Sequence, residues 1–219
     1  MLSFARREPS AILLATQLVA ILVYALTERS SAGRALFSVF GILTLALVLL
    51  AVRSSPGPIW AAALLGIPAT ILLLIQAITN SDELLPWSSA LEAIIYFYAV
   101  GALLAYMLAD HEITRDELFA VGATFTLAAW GFAYTYVVCQ AIEPGSFTAA
   151  VNASADRSWL ELLFLSFTTL TSTGLSDVTP IKPFARSLVM LEMVAGLGYI
   201  AMVVSRLVGL TVIRRATGR

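Results

Sequence analysis

The feature that most constrains this chain is a succession of uninterrupted apolar runs, each about as long as the hydrocarbon layer of a bilayer is thick. A spanning helix needs about 20 apolar residues. Runs of that kind, bounded by charges, Pro or Gly, predict six membrane helices at Ala11 to Thr27, Ala35 to Val52, Ile59 to Thr79, Ser89 to Leu108, Leu118 to Ile142 and Arg186 to Ile213. The composition agrees, because 59% of the residues are hydrophobic and only 12% are charged, far from the balance of a soluble domain. The first run follows Arg6 and Arg7 and so has the outline of a signal peptide, but it ends in Glu28-Arg29 with no small-residue cleavage site.

Several function classes fall away on the same evidence. A net charge of -1 supplies no basic surface for nucleic acid, so no nucleic-acid partner is expected. One histidine, His111, and one cysteine, Cys139 in an apolar run, form no metal-ligating or redox cluster. No polar catalytic constellation lies between the helices, so the expectation is a protein that is not an enzyme and needs no organic cofactor.

A seventh apolar piece, Trp159 to Leu170, is too short to span. With the N-terminus inside, Arg6, Arg7, Arg53, Arg115, Arg206, Arg214, Arg215 and Arg219 fall on the cytoplasmic side, against Arg29, Arg34, Arg157, Lys182 and Arg186 outside. Eight against five is the positive-inside bias, and it places both termini in the cytoplasm of an inner or plasma membrane. Counting the short piece as a span would export Arg214 and Arg215, so it is read as re-entrant. The chain then divides into residues 1–117, a four-helix collar, and residues 118–219. Pro68 predicts a kink in the third helix. Ser89 to Leu108 carries no Lys or Arg, only Glu92. A voltage sensor needs several charges on one helix, each worth about 2.3 kcal/mol per 100 mV, so membrane voltage is not the expected opener.

The stretch from Ser158 to Pro180 carries the functional signal. Ser158 followed by Glu161 is a capping box, which starts a helix there. A helix from Ser158 to Leu170 rises about 19 Å, short of a core of about 30 Å, so its negative dipole end stops inside the membrane and favours a cation. The hydroxyls of Thr168, Thr169, Thr171, Ser172, Thr173 and Ser176 follow, interrupted by Gly174. Irregular backbone at membrane depth is tolerated where it is buried in protein or lines a water-filled path. Hydroxyl and carbonyl oxygens are the hard ligands that replace a cation's hydration shell. Asp177 adds a carboxylate beyond them, and Pro180 ends regular structure.

These residues resemble the pore of the potassium-channel superfamily. The family pattern S-F-x-T-L-T-T-V-G-Y-G-D-x-T-P is met here by Ser166-Phe167-Thr168-Thr169-Leu170-Thr171-Ser172-Thr173-Gly174-Leu175-Ser176-Asp177-Val178-Thr179-Pro180, and the likeness continues through Arg186, Met190, Leu191 and Glu192 to Gly196. The resemblance implies an all-α membrane protein, a homotetrameric channel of six-helix subunits with a pore helix and filter in residues 118–219. It implies a filter at Thr171, Ser172, Thr173, Gly174, Leu175 and Ser176, with potassium or another monovalent cation held at Thr171 to Gly174. Asp177 would stand at the pore mouth, and Gly196 would be the inner-helix hinge. Leu197, Ile200, Val204 and Val208, at helical spacing, would line the cavity, and Glu192 would pair with pore-helix hydroxyls.

The departures from the pattern are confined to the filter. Ser172 and Thr173 stand for Thr and Val, Leu175 for Tyr, and Ser176 for a glycine. Leu175 has no hydroxyl with which to anchor the filter, and Ser176 replaces a residue whose backbone conformation suits glycine alone. Phe164 and Thr168 lack the groups with which the family braces its mouth aspartate. Potassium is therefore expected to lead with reduced selectivity. A sodium-conducting or non-selective channel stays open as an alternative, and so does a relative of Trk-type uptake subunits, although those need four pore loops in one chain. A secondary transporter would show paired broken helices in two repeats, and only one such segment is found. Membrane lipid and an unidentified gating protein are the remaining expected partners.

Overall fold

The structure, a computed structural model, describes residues 8–27, 66–72, 84–109 and 114–216, with isolated positions between 41 and 75 and with side chains as far as residue 209. In chain order its elements are α1 (Pro9–Thr27), α2 (Leu85–Leu108), α3 (Arg115–Ile142), β1 (Phe147–Ala149), α4 (Trp159–Leu170), β2 (Val178–Pro180) and α5 (Pro183–Ala216). Among the described residues four helices, α1, α2, α3 and α5, are long and apolar enough to cross a membrane. They correspond to four of the six expected spans. Of the runs Ala35 to Val52 and Ile59 to Thr79 the structure describes residues 66–72, which are helical and include Pro68, and isolated positions; the remainder lies outside the described residues, as do His111, Arg6 and Arg7.

Local chemistry explains where the helices begin, which is earlier than hydropathy alone indicates. Thr114 caps α3 by accepting from the Glu117 backbone N–H at 3.2 Å while Glu117 Oε2 accepts from the Thr114 N–H at 3.1 Å, so Arg115, Asp116 and Glu117 are helical although polar. Pro86 sits in the first turn of α2 and Pro183 opens α5, positions where a missing N–H leaves no hydrogen bond unmade. Ser158 and Glu161 form the expected capping box at the start of α4.

α3 is the axis of the fold. α2 packs along one side of it, burying the small residues Ala93, Ala99 and Ala102 while α3 buries Ala129 and Ala133, and the Phe97 ring of α2 lies over Gly131 of α3. α1, α4 and α5 take its other sides. An aromatic cluster joins the layers: Trp130 meets Tyr96 edge-on at 5.9 Å and Trp159 at 5.3 Å, Tyr134 stacks on Tyr96 at 5.7 Å, and Tyr24 of α1 meets Trp159 at 5.2 Å. Edge-to-face contacts at these separations add about 0.5–1.5 kcal/mol each beyond the area they bury.

Among the described residues the helices are joined by one two-stranded antiparallel sheet, pairing Phe147 with Pro180, Thr148 with Thr179 and Ala149 with Val178. With the Ile181 N–H bonded to the Ser146 carbonyl at 2.9 Å, it ties the chain leaving the 171–177 segment to the end of α3.

Candidate functional site

α4 spans 12 residues, about 18 Å. Its end is a Schellman turn: the Thr173 N–H bonds the Thr168 carbonyl at 2.9 Å and the Ser172 N–H bonds the Thr169 carbonyl at 3.0 Å. The turn requires a left-handed residue just past the cap, and Ser172 takes that place with φ 57°. The Gly174 N–H also reaches the Thr168 carbonyl, at 3.2 Å, and Gly174 has φ 65°, a conformation that glycine alone adopts without strain. Thr171 Oγ1 donates to the Phe167 carbonyl at 2.7 Å and stands 3.0 Å from Thr173 Oγ1. The helix end thus holds the amides of residues 171 to 174 and two of the hydroxyls, so the first half of the segment is built by α4 itself.

The strain expected at Ser176 lies elsewhere. Ser172 and Asn152 are the non-glycine residues with positive φ among those described, and Ser176 instead uses its hydroxyl to accept the Val178 N–H at 3.0 Å, a local turn that leads into β2. Nothing in the residue types marked Ser172 for a left-handed backbone; the turn geometry imposes it. Thr171 to Leu175 and Asp177 are exposed on the protomer, Leu175 at 77%, and Ser176 is half-buried. Thr168 is buried and bonds back to the Leu165 carbonyl at 2.9 Å, while Phe164 is exposed, so neither contacts Asp177 through a polar atom.

Behind the segment, α4 and α5 meet at two points. Glu192, fully buried on α5, accepts hydrogen bonds on both carboxyl oxygens, from Ser166 Oγ of α4 and from Tyr136 OH of α3. One turn along, Gly196 lets α5 approach the end of α4 so closely that a side-chain carbon there would lie 2.4 Å from the Leu170 carbonyl oxygen. Gly196 therefore has a packing role in an unbroken helix. Leu197, Ile200, Val204 and Val208 lie on one exposed face of α5, between 40% and 65% exposed. An open concavity of about 550 Å³ lies between Thr168, Thr169 and Ser172 on one wall and Met193, Val194 and Leu197 on the other.

Arg157 is a residue whose part the charge count missed. Buried at 4% exposure, it donates to the carbonyls of Val151, Asn152 and Ala155 and to Glu161 Oε1 at 3.4 Å, while its backbone is bracketed by Gln140 at 2.9 and 3.0 Å. Its guanidinium folds the loop before α4 around itself and fixes that helix on α3. Lys182 does the same after β2, bonding the Pro144 carbonyl at 2.8 Å and lying 3.6 Å from Glu143. The sequence signal for both was only a charge beside a helix start.

At the opposite end of the helices, Arg206 of α5 pairs with Glu117 Oε1 at 3.1 Å, and the Ser10 N–H and hydroxyl donate to Asp116 at 3.0 and 2.9 Å. Adjacent carboxylates at the start of α3 thereby hold α1 and α5.

Comparison with known proteins yields two matches. The profile of a family described as ion channel matches residues 122–212, which takes in most of α3, all of α4 and the 171–177 segment, and most of α5. Protein LctB of Bacillus caldotenax is 35% identical over 103 residues, which are 46% of this chain and 76% of that protein. No solved structure matches the chain.

Proposed function

Because the chain belongs to the potassium-channel superfamily and is a membrane protein of that kind, we propose that four copies assemble around an axis passing beside Gly174 to form a passive cation channel. Potassium is its leading ion. The observation that carries this reading is the end of α4: a short helix that stops within the fold, followed by a run of hydroxyl-bearing residues exposed on the protomer. One chain provides one such segment and cannot surround an ion, whereas four provide rings of oxygens from Thr171 to Ser176. The exposed apolar face of α5 supports the same arrangement, since Leu197, Ile200, Val204 and Val208 would then line a common cavity. Asp177 would stand at the mouth, and ions would move by mutual displacement without chemistry. Both termini would be cytoplasmic, the membrane the plasma or inner membrane, and opening would depend on something other than voltage, such as a separate gating protein.

The residues at 175 and 176 favour weakened selectivity. Leu175 is exposed with no hydroxyl to anchor it, and Ser176 has taken up a side-chain turn in place of a glycine conformation. Bi-ionic reversal potentials on the purified protein in liposomes test both parts. The natural chain should pass potassium with measurable sodium, and Leu175→Tyr with Ser176→Gly should raise the potassium preference by roughly tenfold, which is only about 1.4 kcal/mol. A monomer without ion flux in a native-like bilayer would overturn the channel. High potassium selectivity that the double substitution leaves unchanged would overturn the account of the filter.

A further inference from the structure

We propose that Glu192 is a positioning residue for ion selection, holding the helix that presents the filter in register with α5. The proposal rests on the reading of Thr171 to Ser176 as the conduction path. The contacts form a two-point register. Ser166 and Leu170 lie one turn apart on α4, and Glu192 and Gly196 lie one turn apart on α5, so the hydrogen bond from Ser166 Oγ to Glu192 and the close approach of the Leu170 carbonyl to Gly196 are successive rungs between the same two faces. A glycine contact alone limits how closely the helices approach, but it lets one slide along the other. The hydrogen bond supplies the missing restraint along the axis. Tyr136 OH, reaching the second carboxyl oxygen from α3, keeps the carboxyl itself from moving with α4.

Displacement of α4 is transmitted directly. The carbonyls of Thr168 and Thr169, two and three residues beyond Ser166, anchor the amides of Ser172, Thr173 and Gly174. The oxygens that would meet an ion therefore move with the end of α4 as one body. Chemistry explains why a carboxyl occupies this place. It presents acceptors on both oxygens to two hydroxyl donors, whereas the amide of Gln at the same shape offers one acceptor and turns an NH₂ group toward the other hydroxyl. Glu192 is fully buried and lies away from the face of Leu197, Ile200 and Val204, so it does not meet permeating ions.

The test uses the full chain in liposomes, with Glu192→Gln, Ser166→Ala, Tyr136→Phe and the Glu192→Gln/Ser166→Ala pair, reading the potassium-to-sodium permeability ratio, unit conductance and thermal stability. Each single substitution should lower the ratio by roughly three- to tenfold, and the pair should lower it no further than Glu192→Gln alone, because both remove the same restraint. If Glu192→Gln does not assemble, Tyr136→Phe and Ser166→Ala carry the test, each leaving the carboxyl in place. Lowered stability with an unchanged ratio in every assembled variant would reduce Glu192 to a packing group and overturn the proposal. Reduced unit conductance that added salt masks, again with an unchanged ratio, would make it an ion attractor and overturn it equally. A natural chain that passes no ions defeats the conduction reading itself, an outcome distinct from a selective natural chain whose variants are equally selective.

Discussion

Two glutamates, Glu92 on α2 and Glu192 on α5, are almost completely withdrawn from the surface, at 2% and 0% exposure, and their surroundings treat them in opposite ways. Glu192 has a hydroxyl donor on each oxygen, one from each neighbouring helix. Glu92 has Tyr134 within hydrogen-bonding reach of its carboxyl, but among the described residues its Oε1 atom meets no hydrogen-bonding group, and neither do Tyr96 OH, Trp130 Nε1 and Ser89 Oγ. The carboxyl between α3, α4 and α5 is fixed atom by atom. The carboxyl between α2 and α3 is held more by shape and aromatic contact. The difference teaches where positional precision resides: the packing of α2 on α3 tolerates an incompletely bonded carboxyl, whereas the contact that fixes α4, and with it the backbone of residues 171 to 174, bonds both oxygens.

The largest effect that would sharpen this contrast comes from adding one methyl group to each half. Gly196→Ala puts a carbon 2.4 Å from the Leu170 carbonyl oxygen and 2.7 Å from its Cα, and backbone cannot step aside as a flexible side chain can. Overpacking of this kind costs about 3 kcal/mol or more, and it would also pull Glu192 from Ser166. Loss of the assembled oligomer on size exclusion, or a large fall in melting temperature, is the expected result. Gly101→Ala on α2 has nothing within 4 Å to meet and replaces a poor helix former with the best one. It should be neutral or stabilising by up to about 1 kcal/mol. Equal responses at the two positions would erase the distinction between the halves.

An intermediate effect is expected where the halves join. The Thr114 hydroxyl caps α3, and Thr114→Ala should cost about 1 kcal/mol, a modest fall in melting temperature with assembly retained. The effect is bounded because Glu117 remains engaged with Arg206 through its other oxygen. A collapse of the fold on Thr114→Ala would mean that the junction is as closely specified as the pore.

Which of these features could be read from the sequence depends on how local their causes are. The cores of four spans and the whole of α4, with its cap, follow from apolar run length and an S-x-x-E spacing, both visible within a few residues. Helix starts shifted outward by three or four residues because Pro86, Thr114 and Pro183 permit helix where hydropathy has already fallen. The pairing of Glu192 with a pore-helix hydroxyl was legible one helical turn from the glycine. Its second donor, Tyr136, lies 56 residues away, and sequence spacing carries no trace of it. The three-residue strands show no periodicity to detect. Arg157 registers in sequence as an exported charge, since the carbonyls it gathers leave no residue-type signature. The filter departures were visible as substitutions, but their backbone consequence was assigned to Ser176 and falls on Ser172.

The smallest expected effect is also the one that most directly tests the comparison. Removing a buried polar group whose bonds are incomplete gives up little, and replacing it with an apolar side chain of similar volume is often neutral or stabilising. Glu92→Met keeps the length of the side chain beside Tyr96 and Tyr134, removes one oxygen that has no partner among the described residues, and leaves the Tyr134 hydroxyl as the one buried donor deprived of its acceptor. With one hydroxyl losing its acceptor and one unpartnered oxygen removed, it should lose no more than about 1–3 kcal/mol, a small fall in melting temperature in detergent. Glu192→Met, made in parallel, leaves two buried hydroxyls without their acceptor and should lose about 1–3 kcal/mol for each. The sign of the difference between the two methionine variants is the decisive quantity, because both substitutions have the same shape and differ only in the bonds they break. A Glu92→Met variant as damaged as Glu192→Met would show that the carboxyl on α2 is bound as tightly as its counterpart on α5, and that the two contacts are built to one standard.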